Sequence, residues 1–410
     1  MYTFVWNSLF TNVNSRLFTF VTQNKTMNNL QLATLYLEEN LKGRYVTNDH
    51  IKPLLDKLDY RFETNIVGKS VLGKDIYSVK FGTGKIKILA WSQMHGNEST
   101  TTKGLFDFFK YLSSDAEKSS EIYSKFTFYC IPILNPDGAA AYTRVNANQI
   151  DLNRDAFELT QPESKILRGV YEQFTPDYCF NLHDQRTIFG TETYNLPATV
   201  SFLAPAFNES RDYNEVRLKA IHLINKMNAS LQHYIPNQVG RFDDSFNINC
   251  VGDYFTAQNT PTILFEAGHF KKDYERDEVR KFIFISLLAA FSEDDENVIV
   301  DTDLEKYLKI PQNLKNFNDF LYKNVLIINN SEEKIINFVA QFTELLINNE
   351  IHFEAKIIQI DNLDGSNGHY EFDAEGKIFI ADYGNSPIIG EHANFKLGNF
   401  INIFNGKQYQ

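Results

Sequence analysis

Leu30, Leu32, Leu35 and Leu37 sit among polar residues in NNLQLATLYLEENL, a pattern that predicts a helix opening near Met27. A second helix is predicted from His50 to Leu58. The stretch FETNIVGKSVLGKDIYSVKFG alternates apolar and polar residues around paired glycines, and reads as strand, turn and strand. From Lys85 the rhythm changes to short apolar runs separated by amphipathic segments. KIKILAWSQ, FTFYCIPIL, DYCFNLH and TPTILFEAG read as strands. The helices between and after them are predicted at Ser99 to Ser114, Pro162 to Phe174, Asn214 to Tyr234 and Asp277 to Phe291. Strand–helix alternation of this kind implies an α/β domain around a buried, parallel or mixed sheet.

The acidic stretch SEDDENVIVDTD breaks this rhythm and reads as a solvated linker over 292–303. Beyond it, NVLIINN is a predicted strand and Glu332 to Ile347 a predicted helix. IHFEAKIIQI and YEFDAEGKIFIAD alternate with period two. The expected organisation is therefore an N-terminal extension and helix over 1–45, a catalytic α/β domain over 46–291, the linker, and a small C-terminal α+β domain over 304–410.

Composition narrows the partners. With 43% apolar and 22% charged residues the chain can bury a real core, which excludes wholesale disorder. Its formal net charge of −12 argues against nucleic acid or an anionic membrane surface as partner. No run approaches the ~18 apolar residues a membrane span needs. The head lacks Lys and Arg before Arg16 and is interrupted by Asn7, Asn12 and Asn14, unlike a secretory signal, and Met27 offers an alternative start. A cytoplasmic protein is the expectation; the oligomeric state stays open. The 3 cysteines, Cys130, Cys179 and Cys250, are too scattered for a disulfide framework or a Cys-based metal site.

Potential chemistry gathers where strands end. His95 and Glu98 follow KILAWSQM, His183 ends DYCFNL and Glu266 ends TILF. Open α/β sheets bind ligands at the carboxyl ends of their strands, so these residues are expected at one sheet edge. Two His and one Glu make a three-ligand zinc set with a position left for water. A lone His-x-x-Glu arises often by chance. Here it is joined by NPDG (Asn135 to Gly138) and RVNANQIDLNRD (Arg144 to Asp155).

The ordered run HGNE, NPDG, R-x8-N-R, LH and E resembles the zinc metallocarboxypeptidase superfamily over about residues 60–291, and WSQMHGNEST, LNRDA, LTQPES and FNLHDQ are similar to a bacterial branch of it. The resemblance implies an α/β/α sandwich with a mixed, mostly parallel central sheet of about eight strands. It implies that His95, Glu98 and His183 bind one zinc ion per chain and that Glu266 is the general base toward the zinc-activated water. It implies further that Arg144 polarises the scissile carbonyl, and that Asn153 and Arg154 hold the substrate's terminal carboxylate. The expected activity is zinc-dependent removal of C-terminal residues from peptides.

Three departures stand out. The family's mobile tyrosine is missing from GRFDDSFNIN (Gly240 to Asn249), with Tyr254 the nearest substitute. The usual NRNF reads NRDAF, placing Asp155 beside Arg154 to orient it or compete for it. HDQRTIFGTETYN brings Asp184 and Arg186 near the third ligand, Asp184 as a partner for a ligand histidine or as a turn former, Arg186 as an anion binder or as surface packing. The departures leave an alternative substrate class open: a zinc amidase or deacylase of acyl-amino acids or cell-wall peptides, aspartoacylase-like. A non-catalytic zinc-containing scaffold is the remaining alternative. His222 and His233 lack a metal-ligand interval, and His269 falls on the expected rim.

Overall fold

The computed structural model describes residues 27–114, 116–291, 302–329 and 332–409. The head before Met27 and nearly all of the expected acidic linker fall outside these residues. Strands β1 (Glu63–Lys69), β2 (Asp75–Phe81), β3 (Ile86–Ser92), β4 (Phe126–Ile131) and β5 (Tyr178–Asp184) are followed by a short outlying strand β6 (Phe189–Thr191). Next come β7 (Val200–Leu203), β8 (Val239–Arg241) and β9 (Thr262–Ala267). All but β6 form one 8-stranded sheet in the order β1-β2-β4-β3-β5-β9-β7-β8. Pairing is parallel from β4 through β3 and β5 to β9 and again between β7 and β8, and antiparallel elsewhere. The sheet is thus mixed and mostly parallel, as expected.

Helices cover both faces because β5 is buried at every position and β3 at all but its first two, so neither strand has a solvent side. Ile88 and Ala90 of β3 enter a core with Phe106 and Phe109 of α3 (Thr100–Leu112), which follows α1 (Asn29–Leu35) and α2 (Asn48–Leu55), and with Phe284 and Ile285 of the helix Val279–Ala290. Leu89 and Trp91 face the other way, into a core with Leu167 and Val170 of the helix Pro162–Phe174 and Phe255 of the helix Val251–Ala257. One residue of offset exchanges the two faces. The long helix Glu215–Leu231 joins the first face.

The C-terminal region corrects one expectation. Residues Glu332–Ile347 are not helical but form the longest strand, running between Phe317–Asn329 and Glu350–Ile360 in antiparallel register, with Asn367–Asp373 completing the sheet. Glu, Leu and Ala there favour a helix, but pairing on both sides satisfies the backbone of a strand rich in Ile, Phe and Val. A second small sheet runs from Phe379 to Tyr409. The helix of this region is the short Asp303–Leu308, where Asp303 bonds His222 at 2.8 Å.

The C-terminal region is stitched to the α/β unit. Its first strand, Asn313–Lys315, pairs with β6. Arg44, buried at 6% exposure, meets Glu344 at 3.0 Å, and Glu344 also accepts a hydrogen bond from Tyr142. Asp319 accepts from Tyr274 at 2.9 Å and from the Phe342 amide at 2.7 Å. No helix among the described residues is long and apolar enough to cross a membrane.

Candidate metal centre and active site

His95 and Glu98 stand in the loop between β3 and α3, held close to the sheet by glycine. A Cβ on Gly96 would lie 1.9 Å from the Gly138 carbonyl carbon, so only glycine lets this loop pack on the NPDG turn. That turn is fixed by Asn135, whose side chain accepts from the Gly138 amide at 2.8 Å. His183 is the penultimate residue of β5, and Glu266 occupies the equivalent place on β9. The strand-end expectation is met for all four.

The ligand atoms of His95, Glu98 and His183 lie within 4.8 Å of one another, and all three residues are buried. The two Nδ1 atoms face each other at 3.0 Å. Glu98 Oε1 lies 2.9 Å from His95 Nδ1, and its Oε2 lies 2.8 Å from His183 Nδ1. Imidazole lone pairs and carboxylate oxygens converging on one point are a donor set that suits zinc, which takes nitrogen and oxygen ligands. Burial opposes ionisation of Glu98, yet His95 and His183 hold its carboxyl well below the usual range. Burial and the neighbouring Glu98 charge push the Glu266 carboxyl well above it.

Asp151 links these groups, and sequence reasoning passed over it although it lies inside the quoted motif. Its Oδ1 meets His95 Nε2 at 2.9 Å and accepts from the Asn153 amide at 2.9 Å, while its Oδ2 accepts from Arg144 Nε at 3.2 Å. Burial opposes its charge, but the bond to His95 and the charges of His95 and Arg144 hold its carboxyl well below the ordinary value. Arg144 also reaches Glu98 Oε1 at 3.1 Å. One carboxylate therefore orients an imidazole, a guanidinium and the turn that carries Asn153 and Arg154.

A cavity of about 470 Å³ opens beside the cluster and is lined by Arg144, Asn153, Arg154 and Glu266 as well as both histidines. Asn153 Oδ1 accepts from the Val251 amide at 3.2 Å, which turns its amide nitrogen away from that contact. Asp155 is committed to the following turn, accepting from Thr160 and Gln161, and makes no bond to Arg154. No tyrosine lines this cavity among the described residues. Tyr254 lies outside it, under the Arg168 guanidinium at 3.8 Å, while Phe242 does line it. Lys315 of the C-terminal region also borders the cavity, a contact no local pattern announces.

Asp184 is neither a histidine partner nor a simple turn former. Its carboxylate caps α3, accepting from the Thr100 amide at 2.9 Å and hydroxyl at 2.5 Å. His269 packs between His369 and Tyr274, 4.0 and 4.7 Å between ring centres, and lines neither cavity beside the cluster. Cys130 and Cys179 are buried, and burial pushes both thiols up.

Residues 47–176 match the zinc carboxypeptidase family. The match bears out the resemblance read from the sequence; it spans His95, Glu98, Arg144, Asn153 and Arg154, whereas His183 and Glu266 lie beyond it. Among curated proteins the chain is 24% identical over 100 residues to carboxypeptidase 2 of Trichophyton rubrum and of Trichophyton tonsurans. That stretch is 24% of this chain and 19% of each relative, so the match spans about a fifth of their length. Among solved structures it is similar to the metallo-carboxypeptidase of Burkholderia cenocepacia, with 18% identity, 60% of this chain and 68% of that one covered, and a TM-score of 0.49. It is also similar to carboxypeptidase A of Helicoverpa armigera, at 16% identity, 65% and 80% coverage and a TM-score of 0.48.

Proposed function

We propose that this chain, which carries the zinc carboxypeptidase pattern across residues 47–176, is a zinc-dependent metallocarboxypeptidase that hydrolyses the C-terminal peptide bond of peptides. The observation that carries the reading is the convergence of His95, Glu98 and His183 within 4.8 Å at the sheet edge that also presents Glu266, Arg144 and Arg154. His95 Nδ1, His183 Nδ1 and the Glu98 carboxylate would hold the ion. Bound zinc supplies Lewis acidity, polarising a carbonyl and acidifying water.

The remaining chemistry belongs to the chain. Glu266 accepts the proton of the attacking water and returns it to the leaving amine. Burial and the Glu98 charge push its carboxyl upward, the direction that favours accepting a proton. Arg144, anchored on Asp151, places a guanidinium where the oxyanion develops. Arg154 and the amide nitrogen of Asn153 receive the terminal carboxylate in the same cavity. Asp151 touches no substrate and acts by positioning His95 and Arg144.

Among the described residues no tyrosine lines the cavity that holds Asn153 and Arg154, which favours a second reading, hydrolysis of acyl-amino acids or similar small amides. Metal analysis paired with a peptide-library digest read by mass spectrometry tests both. One zinc per chain with stepwise loss of C-terminal residues supports the peptidase. Turnover confined to acyl-amino acids replaces it with the amidase, and protein that holds no zinc overturns both.

A further inference from the structure

A second cavity, of about 360 Å³, adjoins the metal cluster and is walled on one side by the C-terminal sheet. It shares Glu98, Arg144, Asp184, Gln185 and Arg186 with the cavity that holds Asn153 and Arg154. If the substrate's last residue lies with Asn153 and Arg154, the chain on the acyl side of the scissile bond leaves through this second cavity. Its far wall is Phe342, Thr343 and Phe353 of the C-terminal sheet, with Tyr142 and Asn97 beside them.

The charges of this cavity are nearly all satisfied internally. Arg44 is paired with Glu344, which also takes the Tyr142 hydroxyl. Arg276 is spent on the carbonyls of Ala267, Gly268 and Gln185. Asp319 accepts from Tyr274, Gln341 and the Phe342 amide, Asp184 caps α3, and Arg144 bridges Glu98 and Asp151. Arg186 differs. It borders both cavities, is exposed, and among the described residues its guanidinium has no hydrogen-bond or ion-pair partner. Phe342 and Phe353, with ring centres 5.5 Å apart, offer an apolar wall for the methylene stem of a long side chain.

We propose that Arg186 and the C-terminal sheet together form the subsite for the residue preceding the scissile bond, and that this subsite selects an acidic side chain. The preferred substrates are then peptides with Glu or Asp immediately before the C-terminal residue. This inference rests on the peptidase reading above. The unpaired guanidinium gains a charged partner without first losing one, whereas a lysine at that place in the substrate meets like charge. The sheet's contribution is steric and local: Thr343 is exposed and borders the same cavity as Arg186.

Three peptides identical but for Glu, Gln or Lys before the last residue test this. Wild-type protein loaded with zinc is expected to show kcat/KM about tenfold higher for Glu than for Gln, the scale of one charge-assisted hydrogen bond, and lowest for Lys. Arg186→Gln is expected to bring the Glu-to-Gln ratio close to one, and Arg186→Lys to restore part of it. Thr343→Glu, on the sheet and distant in sequence, is expected to depress the ratio while Arg186 remains in place. Equal rates for Glu and Gln in the wild type, or an unchanged ratio in Arg186→Gln, overturns the acidic preference. An unchanged ratio in Thr343→Glu overturns the sheet's part in the subsite. Cleavage of none of the three peptides overturns the peptidase reading itself, and the inference with it.

Discussion

Glu266 stands directly across from His183 in the parallel register of β9 and β5. Adjacent strands lie about 4.8 Å apart, and residues in register on one face have side chains held side by side by backbone hydrogen bonds. The proposed base therefore sits beside a proposed ligand without depending on any loop. Glu266→Gln keeps the shape and removes the proton acceptor. Turnover is expected to fall about 10²- to 10⁴-fold while zinc content, read by elemental analysis, stays at one per chain. Full activity in that variant would remove Glu266 from the mechanism.

Asp151 bonds both the proposed ligand His95 and the proposed oxyanion donor Arg144, so its loss is expected to move two observables together. Asp151→Asn should weaken zinc affinity about 10- to 100-fold, as removal of a ligand's hydrogen-bond partner does. Chelator competition measures the affinity. With saturating zinc, a residual fall in kcat should persist because Arg144 has lost its anchor. Complete recovery at high zinc would confine Asp151 to the metal.

Arg144 and Arg154 line one cavity, and the proposed mechanism assigns them different stages. Arg144→Met is expected to lower kcat about 10²- to 10³-fold, the usual cost of losing one oxyanion donor. Arg154→Met is expected to act chiefly on KM and to erase the difference between a peptide and its C-terminal amide. Steady-state kinetics on that acid–amide pair separates the two.

Gly96 carries the ligand loop past Gly138 with no room for a side chain. Gly96→Ala must displace backbone rather than a flexible side chain. The expected cost is about 1–3 kcal/mol of stability, together with loss of zinc at chelator concentrations that the wild type tolerates. Thermal unfolding with and without zinc distinguishes the two effects.

Asp253 borders the larger cavity, and burial pushes its carboxyl up to about 7 even though the Asn247 amide donates to it at 2.8 Å. A raised carboxyl binds its proton more tightly folded than unfolded. Its contribution to stability is therefore fully present below the unfolded value near 4 and is lost as pH rises toward 7. Asp253→Asn removes that dependence. The stability difference between variant and wild type, measured by urea unfolding, is expected to grow in the variant's favour from pH 4.5 to pH 7.5.

The α/β part of the chain was legible because its central strands are short, rich in apolar residues and separated by amphipathic helices. Pro162–Phe174 begins and ends where its pattern said. His183 and Glu266 were readable for the same reason, since a residue at a strand's carboxyl end is placed by the strand, whereas His95 and Glu98 lie in the loop that follows β3. Less legible were β7 and β8, four and three residues long, which owe their strand character to β9 and to each other. Asp151 was hidden in plain view, since an Asp ahead of a turn is usually only a cap, and here it is that as well.

The sequence by itself determined the periodicity of the α/β unit, the succession of β1 to β5 and β9 along the chain, and the identities of the groups at its carboxyl edge. These follow from local alternation and short spacings, which act within a few residues. Tertiary structure alone decided that Glu332–Ile347 is a strand, because only two long partners could outweigh its helix formers. It also decided which charges are free. Arg44 and Glu344 meet across 300 positions of chain, and such pairing neutralises most of the second cavity while leaving Arg186 without a partner among the described residues. Charge type is written in the residue, but availability depends on which distant groups folding brings within hydrogen-bonding distance.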